Sequence, residues 1–440
     1  MELKKILKQI TPSRAEASEV NKLAESIQKA LKKHLPKGIT TLLAGSVAKG
    51  TFLKDAGDID IFAIFPHSYS KEKMFKSLEK AAKKAFPRAK RETGYAEHPY
   101  LRIYLSGKQI DLVPSYEMKA GERIKSAVDR SQLHTEYVLS TMKAPQKKEV
   151  LLLKQFLKAN LLYGAEIKAK GFSGYLCELM ILHYRDFGQF LKAASMWKLP
   201  VAIDQEKRYK TLSAVPDFKS SLTVIDPVDL TRNVAAVITR GNVQRLIFIS
   251  AAYLAAPSEE FFFPKKLSRE ELSNCLNDRS IFALAFDKPK DIVDDVLWGQ
   301  LWRISGQLDS FLKKAEFKVL GAHPYATDSK CILLFELRSA VLPKTQTFRG
   351  PFLNQTEHVS VFIRKRKGPF YLDHGRVHAM GNRVLWNISL AINQFKKSKG
   401  LPSYLQEHIP KAKFFGPESL LEDYPEALEE YFRICWFLGD

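Results

Sequence analysis

The sequence predicts an α+β protein of several domains, and three observations predict it. Between residues 39 and 116, three short apolar runs at strand spacing (ITTLLAGS, DIDIFAIFP and YLRIYLSGKQIDLVPSY) are split by a lysine-rich helical stretch. From residue 147 onward the spacing changes to that of helices. In the last third, strand-like runs return around another helix. A chain of 440 residues suits roughly three domains at the usual size. We place them at 1–145, 146–262 and 263–440.

The elements follow in order. Residues 1–36 read as helical, with Thr11, Pro12 and Ser13 breaking the run and supplying a fresh N-cap. The strands named above come next, with the helix Ser70–Ala89 between the second and third, and Ser106-Gly107-Lys108 turning the last run into a hairpin. Lys147–Asn160 is helical: Val150, Leu153 and Leu157 share a face, and Lys154 and Lys158, four apart, point together. Tyr175 to about Ala194 continues as helix, Asp226-Pro227 breaks the chain, and a further helix begins near Asn233 or Gly241. Phe263-Pro264-Lys265-Lys266 marks a junction. Beyond it, SIFALAFD and CILLFELRS flank a helix from Asp295 to Phe317.

Hydrophobic residues make up 45% and charged residues 27%, enough for buried cores, which excludes a disordered chain, a collagen or a coiled-coil rod. The longest nearly apolar run, Leu246–Ala256, falls short of the roughly 20 residues of a membrane-spanning helix. The opening MELKKILKQI has no continuous apolar segment, so no secretory signal is expected. Cys177, Cys275, Cys331 and Cys435 lack CxxC spacing and read as reduced thiols of a cytoplasmic protein without a zinc ribbon. A net charge of +21 favours a polyanionic partner, because lysine and arginine gain by releasing the counterions condensed on phosphates.

The segment Leu42–Phe62, LLAGSVAKGTFLKDAGDIDIF, carries the chemistry. A strand enters a turn at Gly45-Ser46, where small residues let backbone N–H groups approach an anion; Ser46 adds a hydroxyl and Lys49 a cation. The order of Lys49, Gly50 and Thr51 excludes a Walker A loop. Asp58 and Asp60 then open an apolar strand. Residues i and i+2 share a strand face, so the two carboxylates project together while Ile59 and Ile61 turn inward. Carboxylates held that close repel unless a cation lies between them. Mg²⁺ suits them, being a hard ion that takes carboxylate and phosphate oxygens. Asp111, in QIDLVP, repeats the alternation, and three carboxylates on adjacent strands suit a two-metal phosphoryl displacement. A lone Asp-x-Asp usually caps a turn or faces solvent; the full combination is much rarer.

GSVAKGT followed by DIDIF resembles the signature of the nucleotidyltransferases related to DNA polymerase beta. YAEHPYLR (95–102), IKSAVDRS with His134, FLKANLLYGAE, KGFSGYLCELMI and DPVDLTRNVAA narrow the resemblance to the class I, archaeal CCA-adding enzymes, densely over residues 1 to about 260 and more weakly beyond. The resemblance implies a polymerase-beta-like nucleotidyltransferase head, a helical central domain for nucleotide and primer, and an α+β RNA-binding body and tail. It implies rebuilding of the 3′-terminal CCA of tRNA from CTP and ATP without a template, with Mg²⁺ as cofactor. Asp58, Asp60 and Asp111 would ligate two magnesium ions, and Asp111 would help deprotonate the tRNA 3′-hydroxyl. Ser46 and Lys49 would bind the triphosphate. His134, Lys154 and Tyr163 would hold the phosphates and sugar. A buried Arg232 would read the base edge, donating to cytosine O2 and N3 or adenine N1 and facing donors on uracil and guanine. Lys49 stands where the family often has Arg, which keeps the charge and loses the bidentate fork.

The C-terminal third is expected to meet the acceptor and TΨC arms by shape, through Arg349 in Phe348-Arg349-Gly350-Pro351 and through Arg364, Lys365 and Arg366 in the run ending at Lys367. Basic runs are also commonly solvated faces. His374 and His378 are spaced like a helical metal pair, but Gly375 argues against a helix. By resemblance the protein would be a homodimer. Poly(A) or oligoadenylate synthesis shares the same head chemistry, and an inactive RNA-binding protein on this scaffold is the reading from another class; the three intact aspartates argue against the latter.

Overall fold

The computed structural model describes residues 3–54, 56–95, 99–118, 127–209 and 219–435. Parts of YAEHPYLR (96–98) and of IKSAVDRS (124–126), and the side chain of Cys435, lie outside the described residues. The chain divides into two compact units, Met1–Lys265 and Lys266–Asp440.

The first unit begins with helices α1 (Leu3–Ile10) and α2 (Arg14–Lys32). Ser13 caps α2 in a reciprocal capping box with Glu16, and Ile6, Ile10, Val20, Ala24, Ile27 and Leu31 are the buried positions. Strand β1 (Thr40–Ala44) runs into a one-turn helix, α3 (Gly45–Lys49), where the sequence suggested only a turn. Then come β2 (Ile59–Phe65), α4 (Lys71–Ala85), β3 (Lys90–Tyr95), β4 (Pro99–Leu105) and β5 (Lys108–Tyr116). The sheet order is β1-β2-β5-β4-β3. Among the described residues of this sheet, β2 and β5 pair in parallel and the other pairs are antiparallel. The β4–β5 turn is Ser106-Gly107, with φ of 50° and 71°, the left-handed pair that a tight hairpin needs. Strand β3 carries no apolar alternation and escapes a reading by pattern.

Helices α5 (Ala127–Thr141), α6 (Ala144–Ala159), α7 (Gly174–Tyr184), α8 (Phe187–Ala194) and α9 (Arg240–Ala255) build a second core in the same unit, with β6 (Val201–Ile203), β7 (Leu222–Asp226) and β8 (Asp229–Asn233) as a small sheet. The single helix expected over 175–194 is two, because Arg185 takes φ +75° and Asp186 caps α8 by accepting from the Gln189 N–H. Asp226-Pro227 is the corner of the β7–β8 hairpin, and the next helix starts at Arg240 rather than near Asn233. Lys154 does not point with Lys158: Lys154 is 2% exposed, while Lys158 is exposed.

The second unit holds α10 (Arg269–Leu276), β9 (Ser280–Asp287), α11 (Asp294–Lys314), β10 (Val319–Ala326), β11 (Lys330–Leu337), β12 (Thr345–Phe352), α12 (Thr356–Lys365), β13 (Phe370–Asp373), β14 (Arg376–Asn382), α13 (Ile388–Phe395), β15 (Lys413–Phe415), α14 (Pro417–Asp423) and α15 (Pro425–Cys435). They form an antiparallel sheet β10-β11-β9-β15 and a small sheet β12-β14-β13. His374 stands in the β13–β14 turn, and His378 is buried on β14, stacked on Tyr371 with ring centres 5.0 Å apart. Among the described residues no helix is long and apolar enough to cross a membrane.

Candidate active site

The carboxylates come together through strand register. Asp60 pairs with Ala44 across β1–β2 and with Asp111 across β2–β5, and Asp58 immediately precedes β2. Their apolar neighbours Ile59, Ile61, Ile110 and Leu112 are buried, so the backbone holds the aspartates on the opposite face. Gly45 closes the arrangement: its φ is +68°, and a Cβ there would stand 2.0 Å from Asp60 Oδ2. Burial, then the charges of Asp111 and Asp58, push the Asp60 carboxyl up to about 7. Burial and Asp111 raise Asp58 as well. Arg102 on β4 grips Asp111 with a two-pronged fork, Nε to Oδ1 at 2.8 Å and Nη2 to Oδ2 at 2.9 Å.

These donors are all carboxylate oxygens, the chemistry of a hard divalent cation. The raised Asp60 shows a site short of positive charge, so the residues fit such an ion. They are not a finished cage: among the described residues no three His, Cys, Asp or Glu side chains are already grouped as metal ligands, and Arg102 holds the third carboxylate.

Next to them lies a buried knot of charge. Glu178 on α7 is fully buried. It accepts from Lys49 Nζ at 2.6 Å and from Thr51 Oγ1 at 2.6 Å. Lys154 Nζ donates to the Thr51 carbonyl at 2.9 Å and stands 3.7 Å from Glu178. Burial lowers the Lys154 pKa. A Cβ on Gly174 would meet both the Tyr163 hydroxyl, at 3.1 Å, and Lys154 Nζ, at 3.3 Å, so this glycine lets the two approach each other. Burial pushes the Tyr163 hydroxyl far up, keeping it a protonated donor.

A second buried carboxylate, Asp226 at the end of β7, gathers four donors. Its Oδ2 accepts from His134 Nε2 at 2.9 Å and Arg232 Nη1 at 2.8 Å. Its Oδ1 accepts from the Tyr175 hydroxyl and the Val228 N–H, both at 3.2 Å. Burial works against the charge, yet His134 and Arg232 hold Asp226 below its ordinary value. His134 stacks on Tyr175 with ring centres 3.8 Å apart, and Lys49 Nζ lies 5.8 Å from the centre of the Tyr175 ring. Lys49, Tyr175, His134, Asp226 and Arg232 thus form one run of contacts.

Three family models match consecutive parts of the chain: "Nucleotidyltransferase domain" over 24–134, "tRNA nucleotidyltransferase, second domain" over 148–263, and "CCA-adding enzyme, C-terminal domain" over 277–413. The CCA-adding enzyme of Methanocaldococcus jannaschii is 36% identical over 84% of this chain and 85% of its own length. That of Archaeoglobus fulgidus is 33% identical over 98% and 93%. The chain belongs to the CCA-adding enzyme family. Its head, residues 24–134, is a nucleotidyltransferase domain. Among solved structures, a Cid1 poly(U) polymerase aligns with 59% of this chain and 96% of its own at 15% identity and a TM-score of 0.48.

In this member of the CCA-adding enzymes, the expected residues fall into three groups. Asp58, Asp60 and Asp111 gather where β2 pairs with β5, and Ser46 is half-buried in the first turn of α3, next in the chain to the Gly45 that packs against Asp60. Lys49 and Lys154 are both buried, and Tyr163 lies beside Lys154. Neither lysine is the solvated side chain that its type suggests. His134 and Arg232 meet at Asp226, and the Arg232 side chain, expected to be buried, is 32% exposed. Arg349 on β12 and Arg364, Lys365 and Arg366 at the end of α12 are exposed in the second unit. Arg366 lies over the Phe348 ring, 3.5 Å from its centre. Sequence reasoning missed Arg102, Tyr175, Glu178 and Asp226. Glu178 and Asp226 carried a usable signal: each is a lone carboxylate in an apolar run, LCELMI and LTVID, and a buried charge requires partners.

Proposed function

We propose that the first unit joins CMP, CMP and AMP in turn to the 3′ end of tRNA, the tRNA 3′-hydroxyl attacking the α-phosphate of CTP or ATP with release of pyrophosphate. The aspartate edge beside Gly45-Ser46, in a chain of this family, is the observation that carries the reading. Asp58, Asp60 and Asp111 would hold divalent cations, two Mg²⁺ in this reading, whose Lewis acidity lowers the pKa of the hydroxyl and offsets charge on the leaving group. Asp111 accepts the hydroxyl proton once Arg102 releases its fork. Ser46 and the first N–H groups of α3 donate to the triphosphate.

Lys49 and Lys154 face one buried carboxylate, Glu178. In this reading they are the basic side chains of the triphosphate site, with Lys49 tied to Glu178 and Lys154 to the Thr51 carbonyl. Tyr163 adds a hydroxyl donor beside Lys154. His134 suits the sugar better than a phosphate. Burial lowers its pKa and its Nε2 is committed to the Asp226 carboxylate; in this reading Nδ1 meets a ribose hydroxyl. Arg232 reads the base.

In this reading residues 1–145 are the catalytic head, 146–262 the nucleotide and primer domain, and 263–440 the tRNA-binding body and tail. Arg349, Arg364, Lys365 and Arg366 contact the RNA backbone, and the enzyme works as a cytoplasmic homodimer.

The test supplies purified protein with Mg²⁺ and an acceptor minihelix lacking CCA, then each labelled nucleoside triphosphate singly and CTP with ATP together. Two additions with CTP alone and a third when ATP joins are expected. A long ladder with ATP alone would instead make the protein a poly(A) polymerase. Tight binding without addition would make it an RNA-binding protein.

A further inference from the structure

We infer that Asp226 is the positioning residue behind base choice: it pins one edge of the Arg232 guanidinium so that the rest of the fork meets the base in one orientation. The inference rests on Arg232 as the base reader. Asp226 is fully buried, so water cannot replace a lost partner. Its two oxygens are filled by His134, Arg232, Tyr175 and the Val228 N–H. These donors come from α5, β8, α7 and the β7–β8 corner, so one carboxylate holds four pieces of backbone in register. Arg232 gives it Nη1. Among the described residues, Nε and Nη2 have no hydrogen-bonded protein partner, and a third of the side chain is open to solvent.

The chemistry of the bases explains why a fixed fork selects. Cytosine presents O2 and N3 as adjacent acceptors, and adenine presents N1. Uracil and guanine place an N–H at the corresponding positions, donor against donor. A guanidinium free to swing finds an acceptor on any base, O2 or O4 of uracil and O6 or N7 of guanine. One tied at Nη1 offers only the edge held toward the ligand. Discrimination therefore depends on the tie as much as on the arginine.

The experiment measures single-turnover kcat/KM for CTP and for UTP on the CCA-less minihelix, using the full chain with Mg²⁺. It compares the unaltered protein with D226N, R232A and the double variant, each checked by thermal melting. D226N keeps the shape but turns an amide N–H₂ toward donors. Its preference for CTP over UTP is expected to fall about tenfold, the scale of one lost bidentate base contact. R232A should lose at least as much, and the double variant no more than R232A alone. Inhibition by inorganic tripolyphosphate, which has no base, should be unchanged in D226N; a general loosening of the fold would move it.

If R232A loses discrimination while D226N retains it, the inference is overturned and Arg232 remains the reader. If R232A itself retains discrimination, the reading of Arg232 fails and the inference with it. Should D226N not fold, Tyr175→Phe removes one donor from Asp226 and leaves Arg232 untouched. A smaller loss of preference is expected there, and an unchanged preference would overturn the inference.

Discussion

Asp60 and Asp226 are both aspartates on strands of the same unit, and their surroundings drive them in opposite directions. Asp60 sits between Ala44 and Asp111 with Asp58 close by, and burial with two negative neighbours pushes its carboxyl up to about 7. Asp226 is fully buried, yet His134 and Arg232 hold it below its ordinary value. Desolvation acts on both; the difference lies in what completes the shell. Asp226 is saturated by donors of its own chain and is a finished piece of structure. The carboxylates around Asp60 are short of positive charge within the protein, with Arg102 committed to Asp111, and the cation site proposed above rests on that shortfall.

The contrast can be broken hardest at Asp60. Asp60→Ala should cut nucleotide addition by more than about 10³-fold, since metal stabilisation of the transition state is worth several kcal/mol. Its affinity for tRNA, measured by filter binding, should stay nearly unchanged. Unimpaired addition by that variant would sink the metal-site assignment. Gly45→Ala acts on the same carboxylate without removing it. The added methyl would lie 2.0 Å from Asp60 Oδ2 on a backbone at φ +68°, so Asp60 must move. A loss of about 10²-fold is expected, the usual consequence of misplacing a reacting group by an ångström; near-normal rates in a primer-extension assay would show that the carboxylate has room.

A satisfied carboxylate should behave differently, and Glu178 tests that. Glu178→Gln keeps the shape and leaves Lys49 and Lys154 buried without a counter-charge. Stability should fall by about 3 kcal/mol, as when one partner of a buried pair is lost. Denaturant unfolding measures it, and an unchanged midpoint would mean that the lysines do not depend on the glutamate.

The smallest effect sharpens the comparison through pH. With its carboxyl near 7 when folded against an ordinary 3.8, Asp60 binds more protons in the folded than in the unfolded state between those values. Its contribution therefore makes the chelated protein less stable as pH rises through that window. Magnesium should raise the melting temperature more at about pH 8 than at about pH 5, because protons compete for the same oxygens at the lower pH. Asp60→Asn should flatten the chelated protein's slope. An equal magnesium effect at both pH values, followed by scanning fluorimetry, would remove Asp60 from the site.

Much of the aspartate edge was legible because it depends on local rules. Period two on a strand places Asp58 and Asp60 on one face, the same alternation places Asp111, and the apolar neighbours declare which side is buried. The capped start of α2, the β4–β5 hairpin and the long helix of the second unit were legible for the same reason. Strand β3 and the small β6-β7-β8 sheet were not, since neither carries a clear apolar period and their pairing comes from the surroundings.

The sequence by itself determined the residue types, their spacing along strands and helices, and so the class of chemistry: carboxylates for a hard cation, with small and basic residues for phosphates. Only the tertiary structure decided which charges are spent inside the protein. Lys49 meets Glu178 across 129 positions, Lys154 meets Thr51 across 103, and His134 meets Asp226 across 92. A lysine or histidine reads as solvated by its type until the fold brings a distant acceptor against it. Burial and pairing are properties of the packed unit, and they set whether a lysine is a free cation or a buried partner, and whether a carboxylate is saturated by donors, as Asp226 is, or crowded by its own kind, as Asp60 is.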